Sequence, residues 1–383
     1  MGLTGTGVLI LAAVLTVALV LATLWIWPRL AAPRWPTVLA RLGTILVTQV
    51  ALVCTLGLLA NDYFSFYSSW SDLLGTGSKG PVTVGAAAAP GGATHHHAAA
   101  GVQVLGSVTT GGAGIGTRDP AQVGRLDHVR IPGAVTGLTT DGYVYLPPQY
   151  FQSKFAADRF PVVVATTGFP GDAKNLITKL QYPSIELQLI QQGKLKPLVQ
   201  VLMRPSPSMP RDSECEDIPG GPQAETYFTA DVPMDIEASY RVQAGGRGWG
   251  AIGDSTGGYC ALKLAMRNPA SYSTAAALSG YFKAAQDITT GDLFGGSALR
   301  RDEADLNWRL AHLPAPPVSL MLASSKEDGA SYAQGRAFAA LVGPPTTVAQ
   351  ATVDTGGHNF TTWVRLLPAA LTWLSDHLSA PAG

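Results

Sequence analysis

Charge is scarce in this chain. Asp, Glu, Lys and Arg make up 14% of its 383 residues, and they cancel, 26 basic against 26 acidic. A nucleic-acid partner needs a basic face to neutralise phosphates, and none is supplied here. Cysteine is nearly absent, at three residues. Clustered metal ligands are also lacking. The one dense histidine run, His95-His96-His97, has no Cys, Asp or Glu nearby to complete a coordination sphere. It reads as a polar patch, and neither a metal nor another cofactor is expected.

Apolar residues are plentiful. Mean hydropathy is +0.18, and the excess lies near the N-terminus. Residues 7–27 carry no charge before Arg29, and residues 37–60 carry only Arg41. Each run is roughly 20 residues, enough to cross a hydrocarbon core of about 30 Å. The first six residues hold no lysine or arginine, which argues against a cleaved signal peptide. We expect a two-helix transmembrane hairpin within residues 1–70. Its connection carries Arg29 and Arg34, with Arg41 just inside the second span, whereas Asn61-Asp62 follow that span. The positive-inside rule then puts the connection in the cytoplasm and the rest of the chain outside the membrane. Trp25, Trp27 and Trp35 fall at the inner interface. Tyr63, Phe64, Phe66, Tyr67 and Trp70 fall at the outer one.

Residues 71–123 have few large apolar side chains and are dominated by Gly, Ala, Ser and Thr. Such a stretch buries too little apolar surface to offset its ordering entropy, so it reads as a flexible tether. From residue 124 to about 380 the pattern is that of a folded domain. Short apolar runs at 129–132, 142–148, 160–166, 198–203, 248–252, 274–278, 318–323 and 347–353 read as strands. Helical patterns fall at 173–192, 229–241, 258–266, 331–341 and 361–378. The alternation predicts an α/β domain with a doubly wound, mostly parallel sheet. That architecture presents functional groups at the carboxyl ends of its strands.

One motif sits at such a strand end. Gly253-Asp254-Ser255-Thr256-Gly257 reads G-x-S-x-G between the run 248–252 and the helical pattern 258–266. In a nucleophile elbow the strand-to-helix turn is too tight for flanking side chains, and it lifts the serine hydroxyl over the sheet edge. With 43 glycines in the chain, the pattern alone arises easily by chance, so its partners decide its meaning. A serine hydroxyl needs a base to take its proton, and the base needs an orienting carboxylate. On this fold they follow in the order Ser, acid, His.

Three histidines follow Ser255. His377 lies in the final helix, and His312 precedes the strand expected to carry the acid. His358 stands in the turn Gly356-Gly357-His358, between the last strand and the last helix. It is the expected base. The turn Lys326-Glu327-Asp328-Gly329 follows the strand run 318–323. Asp328 is the first choice for the acid and Glu327 the alternative. The oxyanion requires backbone N–H donors. One is expected from Thr256 and the other from Phe169, in Thr167-Gly168-Phe169-Pro170-Gly171, where Pro170 has no N–H.

Cys54 falls within the second span. Cys215 lies in the acidic run 212–217, and Cys260 lies on the helix behind Ser255. Outside the membrane these two can pair or remain as free thiols. A bond would close a loop of about 45 residues and contribute about 4 kcal/mol in the chain-entropy model. It would also pin the acidic loop beside the site. Residues 203–232 are expected to shape the pocket, with Arg204, Arg211 and Glu225 as candidate polar contacts.

These motifs together resemble the esterase family that includes esterase D, the enterochelin esterases and the mycobacterial mycolyltransferases of the antigen 85 complex. The resemblance runs from about residue 124 to 379. It is carried by Val144-Tyr145-Leu146-Pro147-Pro148, by the elbow through Gly258, by Leu278-Ser279-Gly280, and by Gly356-Gly357-His358 followed by Trp363. It implies an α/β-hydrolase fold and a serine ester hydrolase or acyltransferase working through an acyl-enzyme. By the same likeness Ser255, His358 and an acid at 327 or 328 are catalytic, and Phe169 and Thr256 donate to the oxyanion. The substrate is then an ester or acyl donor, the acceptor is water, a sugar or another alcohol, and the bilayer is a partner through the hairpin. Two features depart from the family. Its secreted members lack a membrane hairpin, and Thr167-Gly168 stands where relatives often have His-Gly or Asp-Gly. The tethered layout resembles an actinobacterial envelope protein. A reading of another class is a binding or scaffold protein on a hydrolase fold, since fold does not fix function.

Overall fold

The computed structural model describes residues 6–32, 34–64, 101–110 and 114–379. The chain forms two compact units, residues 1–81 and 82–383.

The first unit holds helices Thr6–Ile26 and Trp35–Phe64, joined through a short 3-10 turn, Trp27–Leu30. Threonines tie the two helices together. Thr16 Oγ1 lies 2.9 Å from Thr55 Oγ1, and Thr23 Oγ1 lies 3.0 Å from Thr48 Oγ1. Within each helix the paired threonines are two turns apart, so they share one stripe. The same hydroxyls also reach main-chain carbonyls, Thr16 donating to Ala51 O at 3.2 Å and Thr55 to Ala12 O at 3.3 Å across the seam. The remaining apolar surface points outward, with Leu21 61% and Val53 67% exposed. Both helices are long and apolar enough to cross a membrane. At the turn, the guanidinium of Arg29 lies 3.7 Å from the centre of the Trp25 ring and that of Arg41 5.3 Å from Trp27. Phe66, Tyr67 and Trp70, the histidines 95–97 and the stretch 71–100 lie outside the described residues.

The second unit is built on nine strands: β1 (Gln103–Ser107), β2 (Arg125–Pro132), β3 (Thr139–Leu146), β4 (Val162–Thr166), β5 (Val199–Met203), β6 (Trp249–Asp254), β7 (Thr274–Leu278), β8 (Ser319–Ser325) and β9 (Thr347–Val353). Their order in the sheet is β1-β2-β3-β5-β4-β6-β7-β8-β9. The pairings from β1 to β5 are antiparallel and those from β5 to β9 are parallel. The sheet is covered on both faces, so the strands alternate between two apolar sides. Val162, Val164, Leu320 and Leu322 join one core with the helices Thr256–Arg267 and Val232–Ser239. Val163, Ala165, Met321 and Ala323 join the other, with Tyr182–Gln191 and Phe360–His377. This is the α/β-hydrolase arrangement.

Two expectations change. Strand β1 lies inside the stretch 71–123 read as a tether. It pairs with β2, and the N–H groups of Gly101 and Val102 donate to Asp235 Oδ1 at 3.2 Å and Ser239 Oγ at 2.8 Å. The folded domain therefore extends back to residue 101. Composition concealed this because β1 buries no side chain fully and is held by main-chain bonds. The helical pattern 173–192 is two helices, Lys174–Thr178 and Tyr182–Gln191, broken at Gln181 with φ +56°. Pro183 accounts for the restart, because its ring suits the first turn of a helix and not the interior.

Candidate active site

Strand β6 and helix Thr256–Arg267 meet at Ser255, whose φ of +52° is a conformation that non-glycine residues rarely adopt. The flanking glycines make the turn possible. A Cβ on Gly253 would lie 2.3 Å from the Gly257 main chain, and one on Gly257 would lie 2.1 Å from Thr166 O. The Ser255 N–H donates to Leu278 O at 3.0 Å, which fixes the elbow to the end of β7.

Because β6 to β9 are parallel, their carboxyl ends share one edge, and the loops beyond them converge on Ser255. His358 Nε2 lies 2.9 Å from Ser255 Oγ. His358 Nδ1 lies 3.0 Å from Asp328 Oδ2. The Asp328 side chain is 7% exposed and the imidazole 42%. The carboxylate is thus shielded, while the imidazole is partly open to solvent. The Trp363 ring meets the imidazole edge-on, with ring centres 5.0 Å apart. Asn359 caps the last helix through the Thr362 N–H at 3.1 Å, which anchors the histidine loop from its far side.

Glu327 does something else. Its Oε2 accepts the Gly356 N–H at 2.8 Å, so it holds the glycine turn before His358. Of the two adjacent carboxylates, Asp328 meets the imidazole and Glu327 braces the loop.

The loop after β4 lies directly on the serine, since a Cβ on Gly168 would be 3.1 Å from Ser255 Cβ. Buried Asp254, beside Ser255, holds this loop. Its Oδ2 accepts the Gly168 N–H at 2.9 Å and faces Thr167 Oγ1 at 3.5 Å. Burial pushes the Asp254 carboxyl up to about 7, against those hydrogen bonds. Thr167, which departs from the family pattern, thus joins an acid–loop contact. Thr256 is the first residue of its helix, so its N–H has no intrahelical acceptor and is free to serve an anion.

Behind the elbow, one stripe of the helix grips the acidic run. Thr256, Cys260, Lys263 and Arg267 follow at intervals of four, three and four, which is one helical face. Cys260 is disulfide-bonded to Cys215, with Cα atoms 5.7 Å apart. Lys263 is fully buried and donates to Glu214 O at 2.7 Å and Glu216 Oε1 at 2.8 Å. Arg267 pairs with Glu216 at 3.3 Å and Glu225 at 3.0 Å. Buried charges need such partners. Glu225 is therefore engaged in structure. Arg211 is too, donating to Thr290 O and Asp292 O, both at 2.8 Å. Arg204 is paired with Asp172. Sequence reasoning missed Asp254, Lys263 and Glu216. The helical spacing of Lys263 and Arg267 with Cys260, opposite an acidic run with a second cysteine, was the available signal. Among the described residues no cluster of ligands fit for a metal occurs.

A doubly wound sheet with Ser255, His358 and Asp328 joined at its strand ends has the arrangement of the α/β-hydrolase fold. The chain belongs to the esterase family described as "Putative esterase", whose pattern matches residues 134–374. An uncharacterized protein of Corynebacterium glutamicum is 27% identical over 281 residues, covering 68% of this chain and 63% of that protein. The chain thus spans less than two thirds of that relative's length. Among solved structures, an S-formylglutathione hydrolase from Agrobacterium tumefaciens superposes with a TM-score of 0.57 at 16% identity, over 72% of this chain and all of the other. FphF, a fluorophosphonate-binding serine hydrolase of Staphylococcus aureus, gives 0.53 at 16%, over 66% and 98% of the two chains. At such identity these two likenesses speak to the fold alone.

Proposed function

We propose that the protein is a membrane-anchored serine esterase whose catalytic domain works outside the cytoplasm. The observation that carries this is the connected path Asp328–His358–Ser255, with contacts of 3.0 and 2.9 Å. His358 takes the Ser255 proton as Oγ attacks an ester carbonyl, and Asp328 orients the imidazole and stabilises its charged form. The N–H groups of Phe169 and Thr256 receive the developing oxyanion. The protonated imidazole then returns its proton to the leaving alcohol, which leaves an acyl-enzyme. Water, activated by the same histidine, frees the acid. An alcohol or sugar hydroxyl entering instead makes the protein an acyltransferase, and the two outcomes differ only in which acceptor the site holds.

Fluorophosphonate labelling of wild type and Ser255→Ala tests the nucleophile. Label is expected on the wild type and absent from the variant. Label on neither protein would remove the esterase reading and favour a binding protein. Incubation with a p-nitrophenyl ester, with and without trehalose or glycerol, separates hydrolysis from transfer. The membrane placement rests on the two apolar helices, on Arg29 and Arg34 between them and on Arg41 just inside the second. Protease added to intact spheroplasts is expected to remove the catalytic domain, and protection of that domain would reverse the orientation.

A further inference from the structure

The residue after the nucleophile is tied to the acidic loop by a side-chain chain that the reaction above does not use. Tyr281 Oη lies 3.1 Å from Thr256 Oγ1 and donates to Glu214 Oε1 at 2.6 Å. Tyr281 follows the end of β7, stacks on Tyr259 of the elbow helix with ring centres 5.2 Å apart, and is only partly exposed. Glu214 is fully buried with φ +48°, and its Oε2 has no hydrogen-bond partner. A buried, half-partnered carboxyl held in an unusual backbone conformation is costly. Its loop is nevertheless fastened at the next residue, by Cys215 to Cys260, and at the Glu214 carbonyl itself, by Lys263.

We propose that Tyr281 and Glu214 are positioning residues for the oxyanion donor Thr256, and that the protonation of Glu214 sets how well this donor works. The proposal rests on the reading of Ser255 as nucleophile. Thr256 offers its N–H at a helix start, on a peptide whose carbonyl, Ser255 O, accepts the Tyr259 N–H at 3.1 Å while the N–H side is left without an intrahelical partner. Clamping its hydroxyl restrains that peptide. Donors of this kind act through their aim in the transition state, so a lost clamp lowers kcat and spares KM.

The chain has two hydrogen-bond polarities. With Glu214 neutral, its O–H can donate to Tyr281 Oη, and the phenol hydrogen turns to Thr256. With Glu214 charged, the phenol hydrogen is held by the carboxylate, Thr256 must supply its own hydrogen, and a negative charge stands two hydrogen bonds from the oxyanion side. The charged state is the poorer catalyst. The groups facing Glu214 are Asp212, whose Oδ1 accepts the Glu214 N–H at 3.0 Å, Tyr281, Tyr259, Glu216 and Lys263. Burial, then the Asp212 charge, pushes the Glu214 carboxyl up to about 8, opposed by the Tyr281 hydrogen bond, the Lys263 charge and the Ala285 main chain.

The test measures kcat and KM for a p-nitrophenyl ester from about pH 6 to pH 10 in wild type, Tyr281→Phe and Glu214→Gln, with fluorophosphonate labelling alongside. Tyr281→Phe is expected to lower kcat about tenfold, with KM nearly unchanged and labelling still at Ser255. Wild-type kcat is expected to fall above about pH 8, and Glu214→Gln to lose that fall. If Tyr281→Phe does not fold, the Glu214→Gln profile decides alone. Unchanged kcat and an unchanged alkaline limb in variants that still label would overturn the proposal. A wild type that does not label at Ser255 would instead sink the nucleophile reading beneath it.

Discussion

The Gly356 N–H donates to Glu327 Oε2 at 2.8 Å, two residues before the histidine that Asp328 holds at 3.0 Å. Neighbouring carboxylates in one turn thus support the same imidazole by different routes. Asp328→Asn is expected to lower kcat by about 10⁴, because it breaks the orientation and tautomer of the histidine. Glu327→Gln keeps an acceptor for Gly356 and is expected to cost about tenfold or less. Steady-state kinetics on a p-nitrophenyl ester check both, and the reverse ranking would make Glu327 the acid.

The elbow tolerates no side chain at residue 257. A methyl there would sit 2.1 Å from Thr166 O and 2.8 Å from Thr167 O, both on the main chain at the end of central strand β4. Gly257→Ala is expected to destabilise the domain by about 2 kcal/mol or more and to abolish Ser255 labelling. Thermal melting and fluorophosphonate labelling read the two effects. A fully labelled, fully stable variant would show that the elbow is looser than drawn.

The bond between Cys215 and Cys260, 45 residues apart, closes a loop that carries Glu216, with Glu214 directly before it. Reduction, or the double change to serine, is expected to lower stability by up to about 4 kcal/mol. Melting under oxidising and reducing conditions measures this. An unchanged melting temperature would mean that Lys263 and Arg267 hold the loop unaided.

Several buried carboxyls make stability depend on pH, among them Glu186, which burial holds well above the usual carboxylate range. Burial raises Asp212 to about 6, Asp254 to about 7 and Glu214 to about 8. For each, the folded state holds its proton more tightly than the unfolded chain does. Their contribution is therefore complete below about pH 4 and is lost as pH rises through roughly 6 to 8. Melting temperature is expected to fall between about pH 5 and pH 9. Asp254→Asn, which stays neutral, should flatten part of that slope. A melting temperature that rises over the same range would contradict the assignment.

Much of the site could be read along the chain. Gly253 and Gly257 frame Ser255 because the turn excludes side chains, a constraint local enough to leave a motif. The order Ser255, Asp328, His358 follows from strand succession, and the pairing of Cys215 with Cys260 was one of two open readings. Asp254, Lys263 and Tyr281 escaped, because each acts on residues distant in sequence. Their partners are Gly168, Glu216 and Thr256, brought together only when β4, β6 and β7 align. Strand β1 escaped because its main-chain pairing leaves little trace in composition.

The sequence by itself determined the alternation of strands and helices, the elbow, and the two apolar runs before the α/β domain. Each is a short-range pattern of size and polarity, and local sterics and burial suffice to dictate it. The tertiary structure decided which acid turns to His358, which carboxyl holds the loop after β4, and what Arg204, Arg211 and Glu225 do. Those outcomes depend on the direction in which each Cα–Cβ bond leaves a turn, and on which distant backbone it meets there.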